Sequence, residues 1–300
     1  MSIPSVEEWR AMGTVFRFRG HAVFMRIGGS GPALLAIHGF PTAGWDWCKV
    51  WPELARVRTL VAPDLLGFGL SAKPRRHSYR IAEQADLCLA ALNEAGFSSA
   101  DVLAHDYGDT VAQELLARFE AGDCPVRLRS LVLLNGGLFP ETHRALLTQR
   151  VLRTPLGALV ALLFTRRRLA QVMRKIFGRN APPSDTEIDA FWELLQRDRG
   201  RRALPHLIRY IDERRAERAR WVGALQHTRI PITLVAGVDD PISGAHMIAR
   251  FRELVPHAAV VELDGVGHCP QIEAPTAVVA AALLALGRSA VFAAEASSGG

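Results

Sequence analysis

The 300-residue chain is short of several things, and each shortage removes a class of function. Its four cysteines, Cys48, Cys88, Cys124 and Cys269, form no C-x-x-C pair and no zinc-ligand spacing, so free thiols in a reducing compartment are expected rather than a disulfide framework or a metal module. Apolar runs such as Leu156 to Phe164 fall far below the roughly 18 residues of a membrane span. Met1 to Trp9 lacks the basic-then-apolar order of a secretory signal, and a cytoplasmic location is the expectation. No glycine-rich loop ends in Lys-Ser or Lys-Thr, so the glycines of Asp64-Leu65-Leu66-Gly67-Phe68-Gly69-Leu70-Ser71 serve tight turns and not a phosphate cradle. Excess charge is missing from most of the chain as well. Net charge is +6, but residues 138–228 hold 18 Lys/Arg against 9 Asp/Glu, a local +9 that leaves −3 elsewhere. A charged segment of this kind does not describe a nucleic-acid-binding protein.

What is present is an ordinary globular composition, 49% hydrophobic and 22% charged, enough for one large core or a core with an insert. Val15–Phe18 and Ala22–Ile27 flank Arg19-Gly20-His21 as an opening hairpin. Ala33–Ile37, Thr59–Ala62, Asp101–Ala104, Ser130–Leu134, Ile232–Ala236 and Ala259–Leu263 read as short buried strands. Helical patterns over Ile81–Asn93, Val111–Phe119, Gly244–Leu254 and Ala274–Leu286 alternate with them. The rhythm predicts an α/β fold, a mostly parallel eight-stranded sheet with helices on both faces. It breaks between Asn135 and Ile230, where the pattern is helical, arginine-rich and punctuated by prolines. The expected organisation is a core over 1–137, an inserted helical cap over 138–228, the rest of the core over 229–290 and a loose tail over 291–300. A cap in this place covers the carboxyl ends of the strands, where open α/β sheets carry their sites.

The most informative stretch is Ala104-His105-Asp106-Tyr107-Gly108, set between a strand and a helix. Small-x-Asp-x-Gly is the pattern of a nucleophile elbow with aspartate where serine is usual. The turn strains its central residue, demands small neighbours at 104 and 108, and aims the Asp106 carboxylate into a cleft near a helix N-terminus. A carboxylate attacking an ester carbonyl yields only a labile anhydride, whereas attack at an sp³ carbon yields an ordinary ester. Asp106 therefore points to epoxides or alkyl halides. Two further loops complete the set. Gly237-Val238-Asp239-Asp240 follows a strand and offers two acids, of which the Gly-x-x-Asp spacing favours Asp240, leaving Asp239 to cap a helix or face solvent. Gly265-Val266-Gly267-His268 follows the last strand and supplies a base, giving the chain order nucleophile, acid, base. His38-Gly39-Phe40-Pro41 after Ala33–Ile37 suits an oxyanion loop, with backbone N–H donors from Phe40 and Tyr107.

Together His38-Gly39-Phe40-Pro41, Asp64-x-x-Gly67-x-Gly69-x-Ser71, His105-Asp106-Tyr107-Gly108 and Gly267-His268 resemble the α/β-hydrolase branch of epoxide hydrolases and haloalkane dehalogenases. Over most of the chain, Asn135-Gly136-Gly137-Leu138-Phe139-Pro140 and Arg220-Trp221-Val222-Gly223 are similar to the mesoderm-specific transcript protein-like hydrolases. The resemblance implies an aspartyl-ester hydrolase of a small apolar electrophile, with no metal and no organic cofactor. It also implies a cap tyrosine as ring-opening acid. Of three tyrosines only Tyr210 lies in the cap. Tryptophan usually follows the nucleophile in this branch and its indole N–H holds the departing halide; Tyr107 stands there, which favours an epoxide. His38, Asn135, His143 and Trp192 are expected to contact substrate, and Asp109 to be a first-turn acid suited to the helix dipole. The Arg166-Arg167-Arg168 run reads as a solvated helix end with a weak pull toward anionic membrane surfaces. Dehalogenation, lactone processing by the same aspartate, and a ligand-binding or membrane-associated protein retaining the elbow are the alternatives.

Overall fold

Local sequence fixes the entry of the chain. In the computed structural model, which describes residues 3–298 and the backbone alone from residue 288 onward, α1 (Val6–Ala11) opens on a capping box. Ser5 Oγ accepts the Glu8 N–H and the Glu8 carboxylate accepts the Ser5 N–H. β1 (Gly13–Phe18) and β2 (His21–Gly29) then pair across Arg19-Gly20, both at positive φ, the conformation a tight two-residue hairpin requires.

β3 (Ala33–Ile37), β4 (Thr59–Pro63), β5 (Ser99–His105), β6 (Arg127–Leu134), β7 (Ile232–Gly237) and β8 (Ala259–Leu263) complete one sheet in the order β1-β2-β4-β3-β5-β6-β7-β8. β2 runs antiparallel to both of its neighbours and every other pair is parallel, as the alternation predicts. Every residue of β3 and β7 is buried, so helices and loops cover both faces there; this is why these strands read as unbroken apolar runs. α2 (Trp51–Leu54), α3 (Ile81–Glu94) and α4 (Tyr107–Glu120) follow in the first part of the chain, and α4 leaves the carboxyl end of β5. From Tyr107 to Ala117 every α4 residue is buried, because other helices pack along it.

Between β6 and β7 the described residues form no strand. They make α5 (Leu147–Leu152), α6 (Gly157–Leu163), α7 (Arg166–Ile176), α8 (Asp185–Gln196), α9 (Leu204–Leu207), α10 (Tyr210–Ala216) and α11 (Arg218–His227). Ser184 and Glu187 cap α8 reciprocally, and Glu187 also pairs with Lys49 at 2.6 Å, tying this insert to the sheet side. At the other end Glu114 of α4 takes the Trp221 Nε1–H at 2.7 Å and pairs with Arg220, so α11 is clamped to the elbow helix. α12 (Ala245–Leu254), α13 (Pro270–Glu273) and α14 (Pro275–Ser298) finish the chain. The sequence reads 291–300 as a loose tail, but α14 runs on to Ser298, and only 299–300 lie outside the described residues. Its alanines are the strongest helix formers, and that local preference needs no core-facing pattern.

Candidate active site

Asp106 sits at the junction of β5 and α4 with φ 49° and ψ −102°, a left-handed strain worth on the order of 1–3 kcal/mol that the surrounding packing must hold. Gly108 is the reason the turn closes. A Cβ there would lie 2.2 Å from the Ile37 carbonyl oxygen, so nothing larger fits against β3. The Asp106 carboxylate is buried, and its Oδ2 accepts the Phe40 N–H at 3.1 Å. The Tyr107 N–H is the first of α4, one of the donors that a helix start leaves unbonded.

His268 arrives from the loop after β8. Its Nε2 lies 3.9 Å from Asp106 Oδ2, and its Nδ1 donates to Asp240 Oδ2 at 2.8 Å. Asp239 points elsewhere and pairs with the exposed Arg179 at 3.5 Å. Asp240 is itself over-determined: Oδ2 also accepts Asn135 Nδ2–H at 3.0 Å and Ser243 Oγ–H at 2.9 Å, and Oδ1 accepts the Ile242 N–H at 2.8 Å. Burial works against its charge, but His268 and these donors outweigh it and keep the carboxyl below its usual range. Burial alone would likewise lower the His268 imidazolium, yet Asp240, with Asp106 and Glu273 adding to it, lifts it to about 9.

The His268 loop is gripped from three sides. The His268 N–H donates to the Ile176 carbonyl of α7 at 2.8 Å. His105 Nε2 donates to the His268 carbonyl at 2.8 Å, while His105 Nδ1 accepts from Gln271 at 3.1 Å. Glu273 accepts the N–H groups of Gly178, Gly267 and Cys269 at 2.7, 2.7 and 2.8 Å. The insert therefore helps to place the histidine through Ile176 and Gly178.

Tyr210 opens α10 and is 1% exposed, its ring centroid 4.8 Å from that of Tyr107 and 6.2 Å from that of Phe40. Among the described residues its hydroxyl has no hydrogen-bond partner; burial, and the Asp106 charge after it, hold that group well above its ordinary range, with Arg214 opposing. Arg214 is the residue sequence reasoning missed. Buried at 2% exposure, it donates Nη2 to the Asp106 carbonyl at 3.0 Å and Nε to Thr110 Oγ1 at 2.6 Å, with its guanidinium 4.5 Å from the Tyr210 ring centroid. The available signal was the i,i+4 spacing, which puts Tyr210 and Arg214 on one face of α10. Arg214→Leu leaves the Asp106 carbonyl and the Thr110 hydroxyl without this donor, and unfolding free energy from urea titration is expected to fall by about 1–3 kcal/mol. An unchanged denaturation midpoint would show that the guanidinium holds nothing.

Other expected site residues lie in different surroundings. His38 is fully buried with both ring nitrogens on backbone, Nδ1 with the Gly39 carbonyl at 2.8 Å and Nε2 accepting the Leu65 N–H at 3.0 Å, so it braces the loop and has no atom left for substrate. Asn135 spends its amide on the Gly237 carbonyl and Asp240, and its Oδ1 on the Gly237 N–H, which makes it a brace for the acid instead of a substrate contact. Trp192 stacks under Arg201, whose guanidinium is 5.5 Å from its ring centroid, on the insert. His143 does come close: its two unpartnered ring nitrogens sit beside Arg214 over Gly137, and burial together with Arg214 pushes its pKa down to about 4. Asp109 does stand in the first turn of α4, but burial denies it the charge that the helix dipole would suit. It is fully buried, among the described residues both carboxyl oxygens lack a partner, and burial reinforced by the Asp106 charge keeps it well above the usual carboxylate range. The Tyr107 hydroxyl contacts the Tyr79 carbonyl at 3.5 Å.

An apolar cavity opens onto this group. Phe40, Ile242 and His268 line it from the core, and Leu152, Phe164 and Met173 line it from the insert. Among the described residues no three His, Cys, Asp or Glu side chains gather to hold a metal ion.

The chain is 43% identical over 285 residues to the putative hydrolase LipZ of Mycobacterium tuberculosis, covering 94% of this chain and 98% of that one. It is 36% identical over 286 residues to the mesoderm-specific transcript homolog protein of Homo sapiens, covering 91% and 85%. Among solved structures, a loop variant of the haloalkane dehalogenase DbeA from Bradyrhizobium elkanii superposes with a TM-score of 0.79 at 26% identity, covering 95% of this chain and 98% of that one. The model of the alpha/beta hydrolase fold matches residues 32–275, from just before β3 to the start of α14, and this chain belongs to that family.

Proposed function

We propose that this hydrolase opens an alkyl electrophile, an epoxide first of all, through a covalent ester on Asp106. The observation that carries the reading is the Asp106 carboxylate itself, held at the elbow by the Phe40 N–H at 3.1 Å with His268 Nε2 at 3.9 Å. A carboxylate so placed bonds to an epoxide carbon as the ring C–O bond breaks, and the freed oxygen takes the Tyr210 proton. His268 then removes a proton from water, the hydroxide adds to the ester carbon, and the N–H groups of Phe40 and Tyr107 hold the oxyanion. Collapse expels the alkoxide, which takes the proton from His268 and leaves as the diol, and the Asp106 carboxylic acid then returns its proton to the Tyr210 phenolate. The apolar walls suit an apolar substrate.

Epoxide is favoured over halide by how a leaving atom would be stabilised. An alkoxide needs a proton donor, and the buried Tyr210 hydroxyl is unpartnered beside the Asp106 charge. A halide needs N–H or O–H donors, and the residue after the nucleophile offers a phenol directed at the Tyr79 carbonyl. The deciding experiment is a panel of epoxides and haloalkanes read by diol and halide release. Diol formation is expected, and Tyr210→Phe should slow ring opening roughly 10²- to 10⁴-fold with ester hydrolysis little changed. Halide release with no diol from any epoxide would end the epoxide assignment and leave only the aspartate chemistry.

A further inference from the structure

The chain has ten large hydrophobic residues that stay exposed among those described, and five of them cluster in the insert: Leu147, Leu156, Leu159, Leu162 and Leu163. Leu156, Leu159 and Leu163 recur at i, i+3 and i+7, one stripe along α6, with exposures of 64%, 54% and 69%. The opposite face of the helix is occupied: Gly157 and Ala161 are buried, and a Cβ on Gly157 would lie 2.1 Å from the Leu152 carbonyl oxygen of α5. The leucine stripe is therefore not a core face that missed its partner. It is the outer side of a helix already packed on its inner side.

The segment that carries it is cationic, although Arg153, Arg166 and Arg174 pair with Asp212, Asp189 and Asp185. Between Glu141 and Asp185 the sequence carries nine Arg and Lys and no Asp or Glu. Arg150, Arg167 and Arg168 are exposed, and among the described residues they have no carboxylate partner. Arg201 closes the end of α6 by donating to the Leu162 and Phe164 carbonyls at 2.9 and 2.7 Å. Apolar side chains framed by cations on a short surface helix are the composition of an element that lies in the interface of an anionic bilayer.

The third observation is what lies behind the stripe. Leu152 and Gln149 of α5, Phe164 after α6, and Leu169 and Met173 of α7 line the apolar cavity that ends at Phe40 and His268. The exposed leucines and the cavity walls thus belong to the same α5–α7 stretch of the insert.

We propose that the α5–α6 leucine face, with its surrounding arginines, docks on an anionic lipid surface and sets the mouth of the apolar cavity against the bilayer. A bound chain would place an apolar substrate next to the cavity without a passage through water. A second copy is the poorer occupant, since a symmetric pairing through this face would bring two segments of net positive charge together, and like-charge contacts of that kind oppose association. The docking rests on the surface alone and stands whether or not the substrate is an epoxide.

Sedimentation of the full chain with lipid vesicles tests it directly. Vesicles of phosphatidylcholine with about one part in three phosphatidylglycerol are expected to bind the protein at least tenfold more tightly than phosphatidylcholine alone, and the preference should fade in high salt. The pair Leu159→Asp with Leu163→Asp should weaken binding to the anionic vesicles at least tenfold, the equivalent of about 1.4 kcal/mol. Leu163→Gln is the milder check, and circular dichroism should report unchanged folding for both, because these side chains are exposed. Arg167→Gln with Arg168→Gln should erase much of the preference for anionic lipid while keeping the leucine-dependent part. Absence of vesicle binding, binding indifferent to the leucine pair, or a solution dimer that the leucine pair splits would each overturn the proposal.

Discussion

His268→Gln is expected to stop the enzyme halfway, with the substrate carbon still bonded to Asp106. On the proposed mechanism Asp106 needs no base to attack an sp³ carbon, so the first half-reaction should survive, whereas hydrolysis of the ester should need His268, the imidazole placed 3.9 Å from that carboxylate. Mass spectrometry of the peptide carrying Asp106 should show the added substrate mass, and an adduct on any other residue would remove Asp106 from its role. Asp106→Ala should cost roughly 10⁴- to 10⁶-fold in turnover, as loss of one member of a catalytic unit does elsewhere. The pH dependence carries the same signature. His268 sits at about 9 with Asp106 among the charges that raise it. Esterification neutralises Asp106, so the ring then sheds its proton at lower pH and is free to act as base. Single-turnover ester hydrolysis should rise with pH and level off below about 9, and the His268 ring in Asp106→Asn, followed by NMR, should titrate below the value in the unaltered protein.

Asp240→Asn is the second large effect. Asp240 accepts the His268 Nδ1–H at 2.8 Å, and that bond selects the tautomer whose Nε2 is free to take a proton from water. An asparagine keeps the shape but can turn its amide nitrogen toward the ring, and ester hydrolysis should slow by roughly 10⁴-fold while alkylation of Asp106 changes far less. Asp239→Asn loses only the contact with exposed Arg179 and should be nearly silent. Rapid-quench measurement of the two half-reactions separates the mutants. If they trade places, Asp239 is the acid and the Asp240 geometry has no catalytic meaning.

Much of this site was legible in the linear sequence because its parts are local. A strained strand-to-helix turn needs Gly108 beside β3, so small-x-Asp-x-Gly betrays it. Strands buried on both faces leave apolar runs, and the order of elbow, acid loop and histidine loop follows from the order of strands. Errors fell where a side chain's partner is distant. His38 and Asn135 stand beside catalytic positions in the chain, yet their polar atoms are used by Leu65 and by Gly237 and Asp240.

The sequence by itself determined the sheet, the placement of Asp106 in a strained turn and the helical character of the insert. Each follows from short-range sterics and from the period at which apolar residues recur. Only the tertiary structure decided between Asp239 and Asp240, because two adjacent residues point apart and long-range bonds, such as Asn135 to Gly237, fix which one faces the histidine. It alone brought Arg214 to the Asp106 carbonyl across 108 positions. It also buried one side of α6 and left Leu156, Leu159 and Leu163 outside. Which face of a helix is covered depends on what packs against it, and an apolar residue reads the same in the sequence whether it ends inside or out.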